Sequence, residues 1–270
     1  MSRNKVDRTG EINVSNEGCV MKIIEYNNAN NIIIEFQDEH KYRLYTKYGA
    51  FKNGQCKNPF YPSVYEHGYL GTNKEGNAPK AYELKDSKTI QTWEYSKWNR
   101  MLARCFDSKY KEKYPTYKGV ACCDRWLCFA NFLEDLEILR NEYNWDENEK
   151  LNLDKDILHK SNKIYSLENC ILVPDWINTL FIRRDAKRGD CPIGVSYNKQ
   201  YKKYQALCSI NGKQKGIGLY NTPQEAFNAY KIAKENEIKR IVNDCVLKGY
   251  ITKDSRLYNS MMGYQIKIDD

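Results

Sequence analysis

Three local signals between residues 193 and 233 leave this stretch of chain few ways to fold. Asn211-Gly212 lies between two alternating runs, Tyr204-Gln205-Ala206-Leu207-Cys208-Ser209-Ile210 and Lys215-Gly216-Ile217-Gly218-Leu219-Tyr220. An Asn-Gly pair in that setting marks a tight hairpin, because both central turn positions need positive φ. Ile193-Gly194-Val195-Ser196-Tyr197 reads as a further short strand. Thr222 is then a helix N-cap, with Pro223 at the first helical position and Glu225 completing a capping box. Ala226, Ala229, Tyr230 and Ala233 follow at helical spacing, so the segment predicts a three-stranded sheet backed by one helix.

The same region holds the chain's charge. Residues 183–240 carry thirteen Lys and Arg against five Asp and Glu, a net +8 that equals the formal charge of all 270 residues, so the remainder is neutral. Lysine-rich helices are often only solvated faces. Charge gathered on one module is also the footprint of a polyanion partner, because each neutralised phosphate releases condensed counterions. Nucleic acid is the first partner implied.

The run Gly194-Val195-Ser196-Tyr197, Lys203-Tyr204-Gln205-Ala206, Gly212-Lys213 and Gly218-Leu219-Tyr220-Asn221-Thr222-Pro223-Gln224-Glu225-Ala226-Phe227-Asn228-Ala229-Tyr230 resembles the Apetala-type (ethylene-response-factor) DNA-binding domain. In that family the sheet lies in the major groove. The resemblance implies double-stranded DNA as partner, with Ser196, Tyr197, Lys199, Lys202, Lys203, Tyr204, Lys213 and Lys215 as the contacting residues. Arg183 and Arg184 begin the basic stretch 183–189, expected to track the DNA backbone or minor groove as a hinge.

Upstream, residues 93–182 contain Trp98-x-x-Met101-x-x-Arg104-Cys105, Tyr114-x-x-Tyr117-x-Gly119-Val120-x-Cys122-Cys123-x-x-Trp126, Leu153-Asp154-Lys155-Asp156-Ile157 and Tyr165-Ser166-x-Glu168-Asn169-Cys170-Ile171-Leu172-Val173-Pro174, ending at Asn178. This succession is similar to phage-type HNH endonucleases, homing or free-standing. There a two-stranded hairpin and a helix hold one divalent ion against the scissile phosphate. The resemblance implies Mg2+ or Mn2+ held by Asp154 and Asn178, oxygen donors suited to a hard cation. It implies that Asn169 ties the loop across the hairpin to hold the general base. Where such enzymes place the activating His, this chain has Lys155, whose ammonium has no lone pair to accept a proton. His159, four residues on, is the substitute candidate, and Asp156 would share the strand face of Asp154.

Ten Cys and an opening of Met1-Ser2-Arg3-Asn4-Lys5, rather than an apolar signal segment, lead to an expected cytoplasmic protein with free thiols. No run approaches a membrane span, so no membrane partner is expected. Five of the cysteines, Cys105, Cys122, Cys123, Cys128 and Cys170, fall in the nuclease-like segment. A tetrahedral zinc site is one reading of them. Without paired C-x-x-C spacing, burial as small apolar residues is the reading adopted.

Cys19-Val20-Met21-Lys22-Ile23-Ile24-Glu25-Tyr26 and Asn31-Ile32-Ile33-Ile34-Glu35-Phe36 predict a hairpin, with residues 51–59 closing an SH3-like barrel. This module is a third DNA contact, a protein-docking module or a support. Residues 72–90 read as a linker. Helices are expected over 93–106 and 125–140, with Trp98, Met101, Leu102, Trp126, Phe129, Phe132, Leu133 and Leu136 as core. Tyrosines beside Lys or Arg can stack on bases, and of these only the group at 197–204 is assigned to DNA.

The expected fold is thus α+β and multi-domain: a small SH3-like β module (1–85), an HNH-like ββα module (91–182) and a three-stranded sheet plus helix (190–270). The expected function is a metal-dependent DNA endonuclease, cutting or nicking. The alternatives are a DNA-binding protein that has lost cleavage through Lys155, acting as a regulator or site occluder, or an intracellular inhibitor of a host nucleic-acid enzyme acting through protein contacts.

Overall fold

The structure, a computed structural model, describes residues 6–181 and 191–268. The expected hinge with Arg183 and Arg184 lies outside the described residues. Among those described, the fold is mixed α+β, with several small sheets and seven α-helices. None of these helices is long and apolar enough to cross a membrane. The chain divides into two compact units, residues 1–135 and 136–270.

In the first unit, β1 (Ile12–Val14), β2 (Val20–Asn28), β3 (Asn31–Phe36) and β4 (Arg43–Thr46) form an antiparallel sheet in chain order. Alternation decides its buried face: Met21, Ile23, Ile32, Ile34 and Phe36 are fully buried. A short helix, α1 (Tyr48–Lys52), sets Phe51 into that core.

The expected barrel closure does not form. Phe51 is helical, and residues 55–58 run beside β4 without a ladder, although the Cys56 thiol reaches Thr46 Oγ1 at 3.9 Å and the Phe60 and Tyr42 rings lie 6.3 Å apart. Ladder groups are diverted there: the Asn58 N–H donates to the Glu17 carboxylate at 3.4 Å, and Pro59 has no N–H.

The segment read as a linker contains a hairpin, β5 (Tyr82–Lys85) with β6 (Lys88–Gln91), every residue of it exposed. Asp86 and Ser87 turn it at φ 48° and 61°, a left-handed pair built without glycine. α2 (Trp93–Phe106) follows, capped by Thr92 Oγ1, which accepts the Tyr95 N–H at 3.2 Å. α3 (Ser108–Lys113), β7 (Ala121–Cys122) and α4 (Phe129–Asn141) complete this region. Trp98 and Trp126 are fully buried with satisfied indoles, Trp98 Nε1 donating to the Trp126 carbonyl and Trp126 Nε1 to Asp135, each at 2.7 Å.

The second unit has two cores and one long helix common to both. β8 (Leu151–Asp154) pairs with β10 (Ile171–Pro174), with β9 (Ile164–Tyr165) in their connection and α5 (Asp175–Asn178) after them. β11 (Val195–Asn198), β12 (Lys203–Ile210) and β13 (Lys213–Tyr220) form the expected sheet, and α6 (Pro223–Leu247) runs for 25 residues, about 37 Å. Ala226, Phe227 and Tyr230 near its start pack on Val195, Ala206 and Cys208 of the sheet. Ile238, Val242 and Cys245 further on pack with Ile157, Ile171, Val173 and Ile177 of the hairpin region. α7 (Arg256–Met262) adds Leu257 and Met261 to the second core, giving residues beyond 241 a structural purpose.

Candidate nucleic-acid interface and metal centre

The register of the second unit's sheet assigns its faces. Val195, Ala206 and Cys208 are buried against α6, and their directly paired positions share that side. The opposite side carries Ser196, Asn198, Lys203, Gln205, Ser209 and Gln214, together with Leu207 and the exposed Leu219. Of the residues expected at DNA, Ser196 and Lys203 therefore face away from the helix. Lys199 and Lys202 lie in the β11–β12 turn, where Lys202 has φ 50°. Lys213 and Lys215 are exposed on β13, on the helix-side alternation. Tyr197 and Tyr204 form a cross-strand pair on the helix side, ring centroids 5.2 Å apart and edge-to-face, and Tyr204 packs into the core.

Gln205, Gln214 and Asn198 were not singled out from sequence. Alternation puts Gln205, the neighbour of the small residue Ala206, on the opposite face, and strand pairing extends that face to Asn198 and Gln214. Asn198 Oδ1 accepts the Gln200 and Tyr201 N–H groups of the turn, whereas the carboxamides of Gln205 and Gln214 each carry a donor and an acceptor, the pattern that pairs bidentately with adenine in the major groove, and the flanking ammonium groups suit phosphate.

The sheet is held rigidly on its helix. The Asn211-Gly212 turn adopts φ 52° and 70°, and the Asn211 N–H donates to the buried Glu237 carboxylate at 2.8 Å. Arg240 closes on the same carboxylate at 2.8 and 2.9 Å, and this guanidinium, above other causes, holds Glu237 below the usual carboxylate range. At the helix start Thr222 Oγ1 accepts the Glu225 N–H at 3.2 Å, as a capping residue should. Glu225 in return takes the N–H of Asn221, one residue before the cap.

The hairpin region differs from the resemblance in three ways. First, β8 ends at Asp154, whose Oδ1 accepts the N–H groups of Asp156 and Ile157, each at 2.8 Å. The chain turns there, so Asp156 does not continue the strand as a second ligand beside Asp154. Second, Lys155 is buried, its ammonium donating to both Asp156 carboxylate oxygens at 2.8 and 2.7 Å and to the Asn162 carbonyl at 2.7 Å. It is a strut inside the loop.

Third, the loop is tied by Asn162, not Asn169. The Asn162 amide donates to the carbonyls of Lys155 (3.0 Å) and Ile164 (2.7 Å) and accepts the Ile164 N–H. Asn169 contributes only its backbone N–H, to Ser166 Oγ at 3.4 Å. The turn around it is held instead by Arg256, which donates to the Glu168 carbonyl and the Glu142 carboxylate, both at 2.8 Å. An arginine 88 residues away gives no local sequence signal.

Asp154 pairs with Ile171 and Pro174 with Leu151, so α5 starts at the hairpin end away from Asp154, about 10 Å along the strand. Asn178 closes that four-residue helix. His159 is exposed in the loop after Lys155. The oxygen donors that the resemblance assigns to Mg2+ or Mn2+, Asp154 and Asn178, thus lie on a strand end and on a helix that starts from the other end of the hairpin. Such an ion would offset charge on a bound phosphate. Among the described residues, no three His, Cys, Asp or Glu side chains converge as a metal site, whether for zinc or for a harder ion. Cys105, Cys128 and Cys170 are buried, and the Cys122 thiol is pushed up chiefly by its hydrogen bond with Cys105.

Burial pushes the Asp154 carboxyl above its usual range, against the pull of the two N–H donors. A raised carboxyl favours the folded state at low pH, and its contribution falls as pH rises from the ordinary carboxylate value through the raised one. Asp154→Asn, which keeps an acceptor for both N–H groups, is expected to match or exceed the parent's stability at neutral pH. Asp154→Ala orphans both donors and should lose about 2 kcal/mol. Urea melts between about pH 4 and 8 check both expectations.

Compared with protein-family models, curated proteins and solved structures, the chain matches none.

Proposed function

We propose that the chain is a double-stranded-DNA-binding protein in which a scaffold of HNH-nuclease type is kept without its hydrolytic base. The observation that carries the proposal is the outer sheet face, where Ser196, Gln205, Ser209 and Gln214 share a side with Lys203 and are flanked by Lys199 and Lys202 of the adjoining turn, in the segment that holds the chain's net charge. The described part of that segment, residues 191–240, keeps nine Lys and Arg against three Asp and Glu. Lysines position the protein on phosphates, and the carboxamides read base edges. Lys155 favours binding without cleavage, since its ammonium is committed to Asp156 and Asn162 and accepts no proton.

Endonuclease activity is the second reading, and Asp154, a carboxylate with one oxygen outside its turn, carries it. The two are separated by incubating the protein with plasmid DNA, with and without Mg2+ or Mn2+. Mobility shifts and a denaturing gel are then read for the parent and Asp154→Asn. A salt-sensitive shift over intact strands is expected. Metal-dependent breaks that vanish in the variant would replace this proposal by the nuclease reading.

A further inference from the structure

The first unit contains a cavity of about 550 Å3, within the range of small-molecule sites. It is lined from β4, residues 55–59, β5 and the start of α2, and nothing assigned above uses it. Three tyrosines wall it. Tyr95 is buried and Tyr42 half-buried, and Tyr82 stands 51% exposed on the β5–β6 hairpin with its ring 5.5 Å from that of Tyr95. Burial pushes the Tyr95 hydroxyl up to about 12 and raises that of Tyr42 as well, so both remain neutral donors at physiological pH.

Glu17, Gln55 and Lys57 belong to the polar part of the lining, with Thr46, Asn58 and Ser63. Gln55 and Lys57 are exposed, and their side chains form no hydrogen bond with the described residues. The hairpin bearing Tyr82 is wholly exposed, and Tyr82 joins it to the cavity wall through its contact with Tyr95.

Aromatic faces accept a planar ring. A carboxylate and a carboxamide beside that ring accept from its amine or N–H groups and donate to its carbonyl, while an ammonium suits an anionic tail. An apolar aromatic side chain would leave those polar groups desolvated and unmatched. We propose that this cavity binds one mononucleotide unit, its base against the exposed Tyr82 ring and its phosphate at Lys57, delivered as a free nucleotide or as a base extruded from DNA. As a free-nucleotide site the inference is independent of the second unit's role, and as an extruded-base site it rests on the DNA binding proposed above.

Calorimetric titration of the full chain with the four nucleoside monophosphates, their nucleosides and N-acetyl-tryptophanamide tests it. At least one monophosphate is expected to bind with Kd of about 1 mM or below, and more tightly than its nucleoside. Tyr82→Ala should weaken it about tenfold, while Tyr82→Phe holds within about twofold. Lys57→Met should erase the advantage of the monophosphate over the nucleoside. Absence of binding by all four monophosphates, equal binding of N-acetyl-tryptophanamide, or indifference to Tyr82→Ala would overturn the proposal. A duplex carrying 2-aminopurine distinguishes the sources: a fluorescence change dependent on Tyr82 assigns an extruded base, and none, with free nucleotide still bound, assigns the free ligand.

Discussion

Raising salt from about 50 to about 200 mM is expected to weaken DNA binding by this chain roughly 40-fold. The figure follows from three lysines at the proposed groove, Lys203 on the outer face and Lys199 and Lys202 in the adjoining turn, each neutralising one phosphate. With a slope of about −0.9 per phosphate in log K against log salt, three give about −2.7. Lys203, the lysine on the outer face itself, provides the internal control. Lys203→Ala should flatten the slope by about 0.9 and weaken all sequences alike. Gln205→Ala should leave the slope untouched and relax preference at one base pair, costing about 1–3 kcal/mol of discrimination. Fluorescence anisotropy across a salt series, followed by selection from random duplexes, measures both. A parent slope shallower than about −1 would rule out the groove assignment.

Ile238→Ala is expected to cost the second unit about 2–5 kcal/mol and to loosen both of its cores together. Ile238 is fully buried on the part of α6 that packs against the hairpin, a dozen residues beyond the Ala226 turn that supports the sheet. Since one continuous helix supplies a wall to each core, fraying from the Ile238 side removes support from the sheet. Native-state hydrogen exchange reads this directly: amide protection in β10 and β12 should fall by a similar factor. Loss confined to β10 would mean that the cores open separately and that α6 does not couple them.

Where the sequence was legible, its signals were local. Asn211-Gly212 and the Thr222 cap each act within four residues, and the sheet and the helix start fall at the expected places. The β5–β6 hairpin was missed because its turn puts Asp86 and Ser87 in the left-handed region, where glycine is the residue one looks for. Phe51 read as a strand residue because an apolar residue beside Gly and Asn says little about period over so short a run.

The hairpin site shows the same limit. Asp154 and Lys155 could be located from sequence, but not what they bond to, because Asn162 and Asn169 are equally plausible loop ties until the turn is built. Arg256 and the apolar side of α7 lie far along the chain, and only tertiary packing brings them to the hairpin. Face assignment on the sheet follows from alternation, which puts Gln205 outward, whereas the charge of Lys213 and Lys215 carries no information about face.

The span of α6 also bears on how this protein can diversify. A sheet module joined to its neighbour by a loop can be exchanged between lineages by recombination at the loop. Here a crossover after β13 would strip the sheet of Phe227 and Tyr230, and one after α6 would carry Ile238 and Val242 into a host with nothing to cover them. Sheet, helix and hairpin are therefore expected to stay together in any recombinant that folds. New binding preferences would arise by point substitution at positions such as Gln205 and Gln214, whose side chains no core depends on.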